Sequence, residues 1–341
     1  MNTAVTAGAT ACFHHSQFAD AATLVEKKTV QGLRISLCIP TLNEEPTIGR
    51  IVTLLRAKLQ EALPLLDEIA VIDSGSCDRT LEIARAAGAE VYRAADILPE
   101  QGDCPGKGEN LWKALYQLAG DIIVYLDGDT TNMHPRFVTG LLGPLLTFPH
   151  IDYVKAYYAR PALAEPASLA GGGRVTEILI RPLLALFFPE VSTLIQPLSG
   201  EYAARRSLLE RLPFPVGYGV EVAHLADICH GAGLEVMAQV DLDERHHRHR
   251  SNQELGKMAF ALAKVLCRRL QGKKIIAPEL ILPDFLHQID FRANGYQRVV
   301  TRIAEEERPP MIEIEAYRAR HPGQYHQEQS GQLPAAQRLA G

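Results

Sequence analysis

Between Ile122 and Asp129 the chain reads Ile-Ile-Val-Tyr-Leu-Asp-Gly-Asp, and this stretch restricts the fold more than any other. A short apolar and aromatic run bounded by polar residues reads as a buried strand rather than a helix. Its carboxyl end runs straight into Asp127 and Asp129, and the carboxyl ends of strands are where open parallel α/β sheets bind ligands. Gly128 lets a ligand approach the backbone closely, while the two carboxylates offer hard oxygen donors to Mg²⁺ or Mn²⁺. A diphosphate has the complementary need, because its charge must be neutralised as it leaves. Asp-Gly also occurs in turns for purely local reasons, so the neighbouring segments have to decide.

Upstream, strands are expected at Ile35 to Ile39, Ile69 to Ile72 and Glu90 to Arg93. They alternate with helices carrying Ile48, Ile51, Val52, Leu55 and Leu59, then Thr80 to Ala87, then Asn110 to Ala119. Apolar residues at helical spacing mark the first of these helices, and Gly88 suits the end of the second. Strand alternating with helix is the rhythm of a parallel sheet with crossover helices. Polar loops at Pro40 to Glu44, Asp73 to Ser76 and Asp127 to Asp129 are thereby sent to one sheet edge. No GxGxxG or GxxxxGK[ST] follows the first strand, so neither a dinucleotide fingerprint nor a P-loop is present.

Further on, the expected elements are a strand at Tyr153 to Tyr158, a helix running to Phe188, a helix from Glu221 to Ala232, a strand from Glu235 to Val240 and an amphipathic helix from Glu254 to Leu270. Residues 1–32 read as a poorly ordered extension rather than a signal peptide, 271–320 as a helical region and 321–341 as a flexible tail, with the segment after Pro309 loosely held. Residues 33–270 read as one domain in two halves, 33–130 and 131–270. A net charge of -5 argues against broad nucleic-acid binding. No uninterrupted apolar run is long enough to span a membrane. Six cysteines without a CxxC pair read as reduced thiols of a cytoplasmic protein.

Two segments have the makings of anion cradles. Gly106-Lys107-Gly108 puts one ammonium between flexible residues at a helix start, and Gly171-Gly172-Gly173-Arg174 does the same with a guanidinium, followed by Thr176. Two cradles suggest two anionic partners, a diphosphate donor and a phosphorylated or carboxylated acceptor. Arg245-His246-His247-Arg248-His249-Arg250 is a solvated basic face, a nucleic-acid patch, or the source of a histidine that completes a metal shell, its arginines then holding phosphates. Glu221 either hydrogen-bonds sugar hydroxyls or complements a helix N-terminus.

Together these segments resemble the GT-A nucleotide-sugar transferases, with Asp127-Gly128-Asp129 in the place of their DxD motif. Closer still, Pro40 to Glu45, Asp73 to Ser76, Pro105 to Glu109, Gly171 to Glu177, Gly217 to Glu221 and His247 to Arg250 resemble the glucosyl-3-phosphoglycerate synthase family, in unbroken order from Ile35 to Leu270. The resemblance implies a GT-A, Rossmann-like, mostly parallel sheet flanked by helices. It implies transfer of glucose from UDP-glucose to the 2-hydroxyl of 3-phosphoglycerate with retention, assisted by Mg²⁺ or Mn²⁺, in a homodimer. Pro40, Thr41, Leu42, Glu44, Ser74 and Gly128 would hold the donor, and Lys107 its diphosphate. Asp127 and Glu221 would position the sugar, Asp129 and His247 would ligate the metal, and Gly173, Arg174, Thr176, Tyr218, His249 and Arg250 would grip the acceptor. The family typically has asparagine where this chain has His249, and serine where it has Gly128. The alternatives are the same chemistry with GDP-mannose, and a nucleotide-sugar-binding protein without turnover.

Overall fold

A computed structural model describes residues 10–160, 173–246, 251–292 and 295–321, so that His247, His249 and Arg250 lie outside the described residues. In chain order the strands are β1 (Ala11–His14), β2 (Ile35–Thr41), β3 (Glu68–Asp73), β4 (Glu90–Arg93), β5 (Ile122–Tyr125), β6 (Tyr153–Ala159), β7 (Tyr202–Arg205), β8 (Phe214–Pro215), β9 (Met237–Glu244), β10 (Phe285–Arg292), β11 (Gly295–Arg302) and β12 (Glu307–Arg308). Eight of them form one sheet in the order β1-β9-β6-β7-β5-β2-β3-β4. β2 pairs in parallel with β3 and β5, and β3 with β4, while β7 runs antiparallel to β5 and β6. The expected mostly parallel α/β sheet is therefore present.

Every residue of β2 and β5 is buried, as a strand covered by helices on both faces must be. Alternate side chains feed two cores. Ile122 and Val124 join Leu37, Val52 and Phe137 on one face, while Ile123 and Tyr125 join Trp112, Leu225 and Leu262 on the other. From β2 the chain steps outward to β3 and β4 and then returns to β5 on the opposite side. That reversal opens a crevice at the carboxyl ends of β2 and β5, and the loops after both strands line it.

Two expectations about the ends need correction. Residues 10–32 are ordered parts of the fold. β1 pairs in parallel with β9 at the sheet edge, and Asp20 caps the Ala21–Gln31 helix by accepting from the N–H groups of Ala22 and Thr23. Phe18 and Leu24 lie in the core. The region 271–320 is largely not helical: β10 and β11 form an antiparallel pair, β12 pairs with β8, and among the described residues after the Asn252–Gly272 helix ends only Glu315–Arg320 is α-helix. Nor is the segment after Pro309 loosely held as far as it is described. Met311 and Tyr317 are fully buried, and the Tyr317 hydroxyl donates to Glu210 Oε2 at 2.6 Å. Among the described residues, no helix is long and apolar enough to cross a membrane.

Candidate active site

Lys107 opens the Lys107–Gln117 helix, Asp127 follows β5, and Glu221 sits in the first turn of the Val220–Gly231 helix. Three elements far apart in sequence thus bring one cation and two carboxylates together. Lys107 Nζ lies 2.5 Å from Asp127 Oδ1 and 2.8 Å from Glu221 Oε1. Burial alone would lower the lysine pKa, but the charges of Asp127 and Glu221 outweigh it and hold the ammonium charged well above its ordinary range.

The glycines flanking Lys107 have a different job from the one the sequence suggests. The N–H groups of Gly108 and Glu109 donate to the carbonyls of Gly217 and Val216 at 3.2 and 2.9 Å, so they are not available as a phosphate cradle. A Cβ on Gly108 would run into the Pro215 carbonyl, and one on Gly106 into that of Val216. Both glycines exist so that two backbones can touch, which places Glu221 beside Lys107. Gly200 performs a similar service, because a Cβ there would overlap the Asp127 carboxylate and Lys107 Nζ.

Arg245 corrects the solvated-face reading of its basic run. It is buried, and its Nη2 contacts Asp127 Oδ2 at 3.1 Å and Asp129 Oδ1 at 2.6 Å. Its Nε lies 2.7 Å from Glu201 Oε1, and Tyr158 donates its hydroxyl to the other oxygen of Glu201. Burial raises the Glu201 pKa, an effect Arg245 opposes. Beneath this layer Lys155 Nζ donates to the Ser199 carbonyl at 2.7 Å, and burial, partly offset by Glu221, lowers its pKa to about 8. Glu201, Gly200 and Lys155 were not legible as site residues, and Arg245 not as a partner of carboxylates, because only tertiary pairing turns them inward.

A single pocket of about 340 Å³ collects the rest. Pro40, Thr41, Leu42, Glu44, Ser74 and Gly128 line one part of it, and Gly173, Arg174, Thr176 and Tyr218 another, with Lys107, Asp127, Asp129 and Glu221 also in the wall. Asp73 shapes the end that Ser74 lines, accepting from Thr41 Oγ1 at 2.9 Å and from the N–H groups of Gly75 and Ser76 at 2.9 and 2.8 Å. At the other end Arg174 is exposed and donates to Asn252. Asn252 begins the Asn252–Gly272 helix, which Ser251 and Glu254 close with a capping box. Leu255, Met258 and Leu262 of this helix give the pocket an apolar wall.

One nitrogen of Arg245 reaches both Asp127 and Asp129, so the two carboxylates converge on a single point. A convergent pair of hard oxygen donors fits a divalent cation such as Mg²⁺ or Mn²⁺.

His224, one turn after Glu221, is fully buried, and burial lowers its pKa to about 3. Its folded-state value lies below the unfolded value of about 6.5, so the unfolded chain takes up the proton first and stability falls with pH below about 6.5. Urea denaturation should show wild type losing on the order of 2 kcal/mol relative to His224→Asn between pH 7 and pH 5. A difference that does not change with pH would contradict this.

Residues 36–166 match the family model Glycosyl transferase family 2. The chain is 54% identical over 309 residues to glucosyl-3-phosphoglycerate synthase of Petrotoga mobilis, covering 90% of this chain and 94% of that one. Among solved structures it resembles mannosyl-3-phosphoglycerate synthase from Rubrobacter xylanophilus, with a TM-score of 0.83 and 36% identity over 89% of this chain and 97% of the other. It also resembles glucosyl-3-phosphoglycerate synthase from Mycobacterium tuberculosis in complex with Mn²⁺, UDP and phosphoglyceric acid, with a TM-score of 0.78 and 39% identity over 89% and 98% of the two chains.

Proposed function

Since the chain belongs to the glucosyl-3-phosphoglycerate synthase family of glycosyltransferases, we propose that it moves glucose from UDP-glucose to the 2-hydroxyl of 3-phosphoglycerate with retention of configuration. The observation that carries this reading is one pocket joining the residues expected at the donor to those expected at the acceptor, with Lys107, Asp127 and Glu221 in its wall. A divalent cation held at Asp127 and Asp129 would supply Lewis acidity to the departing diphosphate.

Lys107 sets a fixed positive charge where the leaving UDP gains negative charge, an arrangement that favours the transition state over the ground state. Glu221 and Asp127 orient the sugar as it becomes oxocarbenium-like. The bond from the anomeric carbon to the diphosphate oxygen breaks, and the acceptor 2-oxygen bonds to that carbon on the same face. A phosphate oxygen of the donor takes the hydroxyl proton. Glu221 does not act as a nucleophile on this reading, since its carboxylate is engaged by Lys107.

The overall fold does not choose between UDP-glucose and GDP-mannose, since synthases of both products share it. UDP-glucose is favoured by the 54% identity to a glucosyl enzyme. The test is a transfer assay with purified protein, Mg²⁺ and each donor. UDP release that requires 3-phosphoglycerate is expected. Preference for GDP-mannose would change the product, and nucleotide binding without release would leave a binding protein. Arg174→Ala should raise KM for 3-phosphoglycerate about tenfold or more while kcat and KM for UDP-glucose change little, as loss of one charge-assisted contact predicts. An unchanged acceptor KM would remove Arg174 from the acceptor site.

A further inference from the structure

At the far edge of the sheet, three side chains form a cluster that the transfer reaction does not use. His14 ends β1, His15 follows it, and Asp243 lies near the end of β9, the strand to which β1 is paired. His14 Nε2 is 3.0 Å from Asp243 Oδ1, and His15 Nε2 is 2.7 Å from Asp243 Oδ2. One donor atom from each of the three residues lies within 4.8 Å of the others.

We propose that His14, His15 and Asp243 form a second metal site, for a borderline-soft divalent transition ion such as Zn²⁺ or Co²⁺. Ligands about 2.0–2.2 Å from a tetrahedral ion stand roughly 3.3 Å from one another. The Nε2-to-carboxylate separations of 3.0 and 2.7 Å fall a few tenths of an ångström short of that, and all three ligand atoms lie within 4.8 Å of one another. Two imidazoles and one carboxylate suit zinc or cobalt, whereas the all-oxygen pair at Asp127 and Asp129 suits Mg²⁺. Three protein ligands leave the fourth position to water.

The surroundings hold the ligands in place. Ser16 orients the His14 ring, its N–H donating to Nδ1 at 3.3 Å and its Oγ lying 2.7 Å from the same nitrogen; with Nε2 on an ion, Nδ1 would carry the proton and donate it to Ser16 Oγ. Asp243 has a φ of 65° and donates its N–H to Asp241 Oδ1 at 2.9 Å. A residue held in this left-handed conformation is over-determined by its neighbours. His14 and Asp243 are each 44% exposed at the side chain, which gives an ion a way in. One opposing charge is Arg136, whose Nε is 3.7 Å from Asp243 Oδ2 and is also engaged with the Leu242 carbonyl at 3.0 Å. An ion here would tie the N-terminal strand to β9 two residues before Arg245, which contacts both aspartates of the active site.

The experiment uses the full-length protein, stripped with a chelator and titrated with Co²⁺ in excess Mg²⁺. One equivalent of Co²⁺ should bind with the intense visible absorption of a tetrahedral site, and Zn²⁺ should displace it. Affinity should fall at least tenfold in His15→Ala and in Asp243→Asn, the second of which keeps the shape of the carboxylate and guards against misfolding. Absence of a tetrahedral spectrum in wild type would overturn the proposal. So would a spectrum unchanged in both variants, which would place the ion on other histidines.

Discussion

Lys107→Met lowers kcat by about 10²–10³-fold at saturating UDP-glucose, 3-phosphoglycerate and Mg²⁺, the usual cost of removing one preorganised charge from a developing anion. The variant keeps the length and packing of the side chain and deletes only its charge. Asp127 and Glu221 then share a largely buried site without the cation that stood 2.5 and 2.8 Å from them. Removing one partner of such a group costs about 3 kcal/mol of stability, so the melting temperature falls with activity. Lys107→Arg does not rescue kcat, because a planar guanidinium does not reproduce the compact point charge that Lys107 Nζ sets between Asp127 Oδ1 and Glu221 Oε1. Steady-state kinetics with a thermal melt checks all three statements. A kcat within fivefold of wild type for Lys107→Met would refute the assignment.

Gly108→Ala destabilises the protein by about 3 kcal/mol, at the upper end for overpacking, because the new methyl meets a backbone carbonyl that cannot rotate aside. The collision is with Pro215, and relief requires the Lys107–Gln117 helix to draw back from the Val216 and Gly217 carbonyls that its first N–H groups bond. Withdrawal separates Lys107 from Glu221, so stability and kcat fall together. If this glycine instead served close approach of phosphate, the variant would raise KM for UDP-glucose and leave the melting temperature unchanged. Denaturant unfolding alongside donor kinetics distinguishes the two.

Much of this arrangement is readable in the sequence. The strands at Ile35, Ile69, Glu90 and Ile122 announced themselves as short apolar runs, and their succession placed Pro40 to Glu44, Asp73 to Ser76 and Asp127 to Asp129 on one edge. Those segments do meet there. What sequence could not give were the inward-turned charges. Arg245 opens a run of basic residues that locally looks solvated, and only its three carboxylate partners, from β5 onward and from Glu201, draw it inside. Lys155 lies within a strand, where its charge argued against burial. β1 was missed because four residues of mixed character carry no periodic signal, and its stability comes from pairing with β9. For β10 and β11 a signal did exist: Asn294-Gly295 between two strand-length runs is a strong hairpin pair.

The carboxylate of Glu305 accepts from the N–H groups of Gly217 and Gly219 at 3.0 and 3.3 Å, and Arg308 bonds Glu109 in the helix that Lys107 begins. The loop preceding Glu221 is thus gripped by residues almost ninety positions downstream. On the ribosome, β2 to β5 can pair as soon as they emerge, but the grip on this loop waits for Glu305 and Arg308 to follow. Catalytic competence is therefore among the last properties a nascent chain acquires, and one released short of Glu305 would bury its sheet yet lack a finished site.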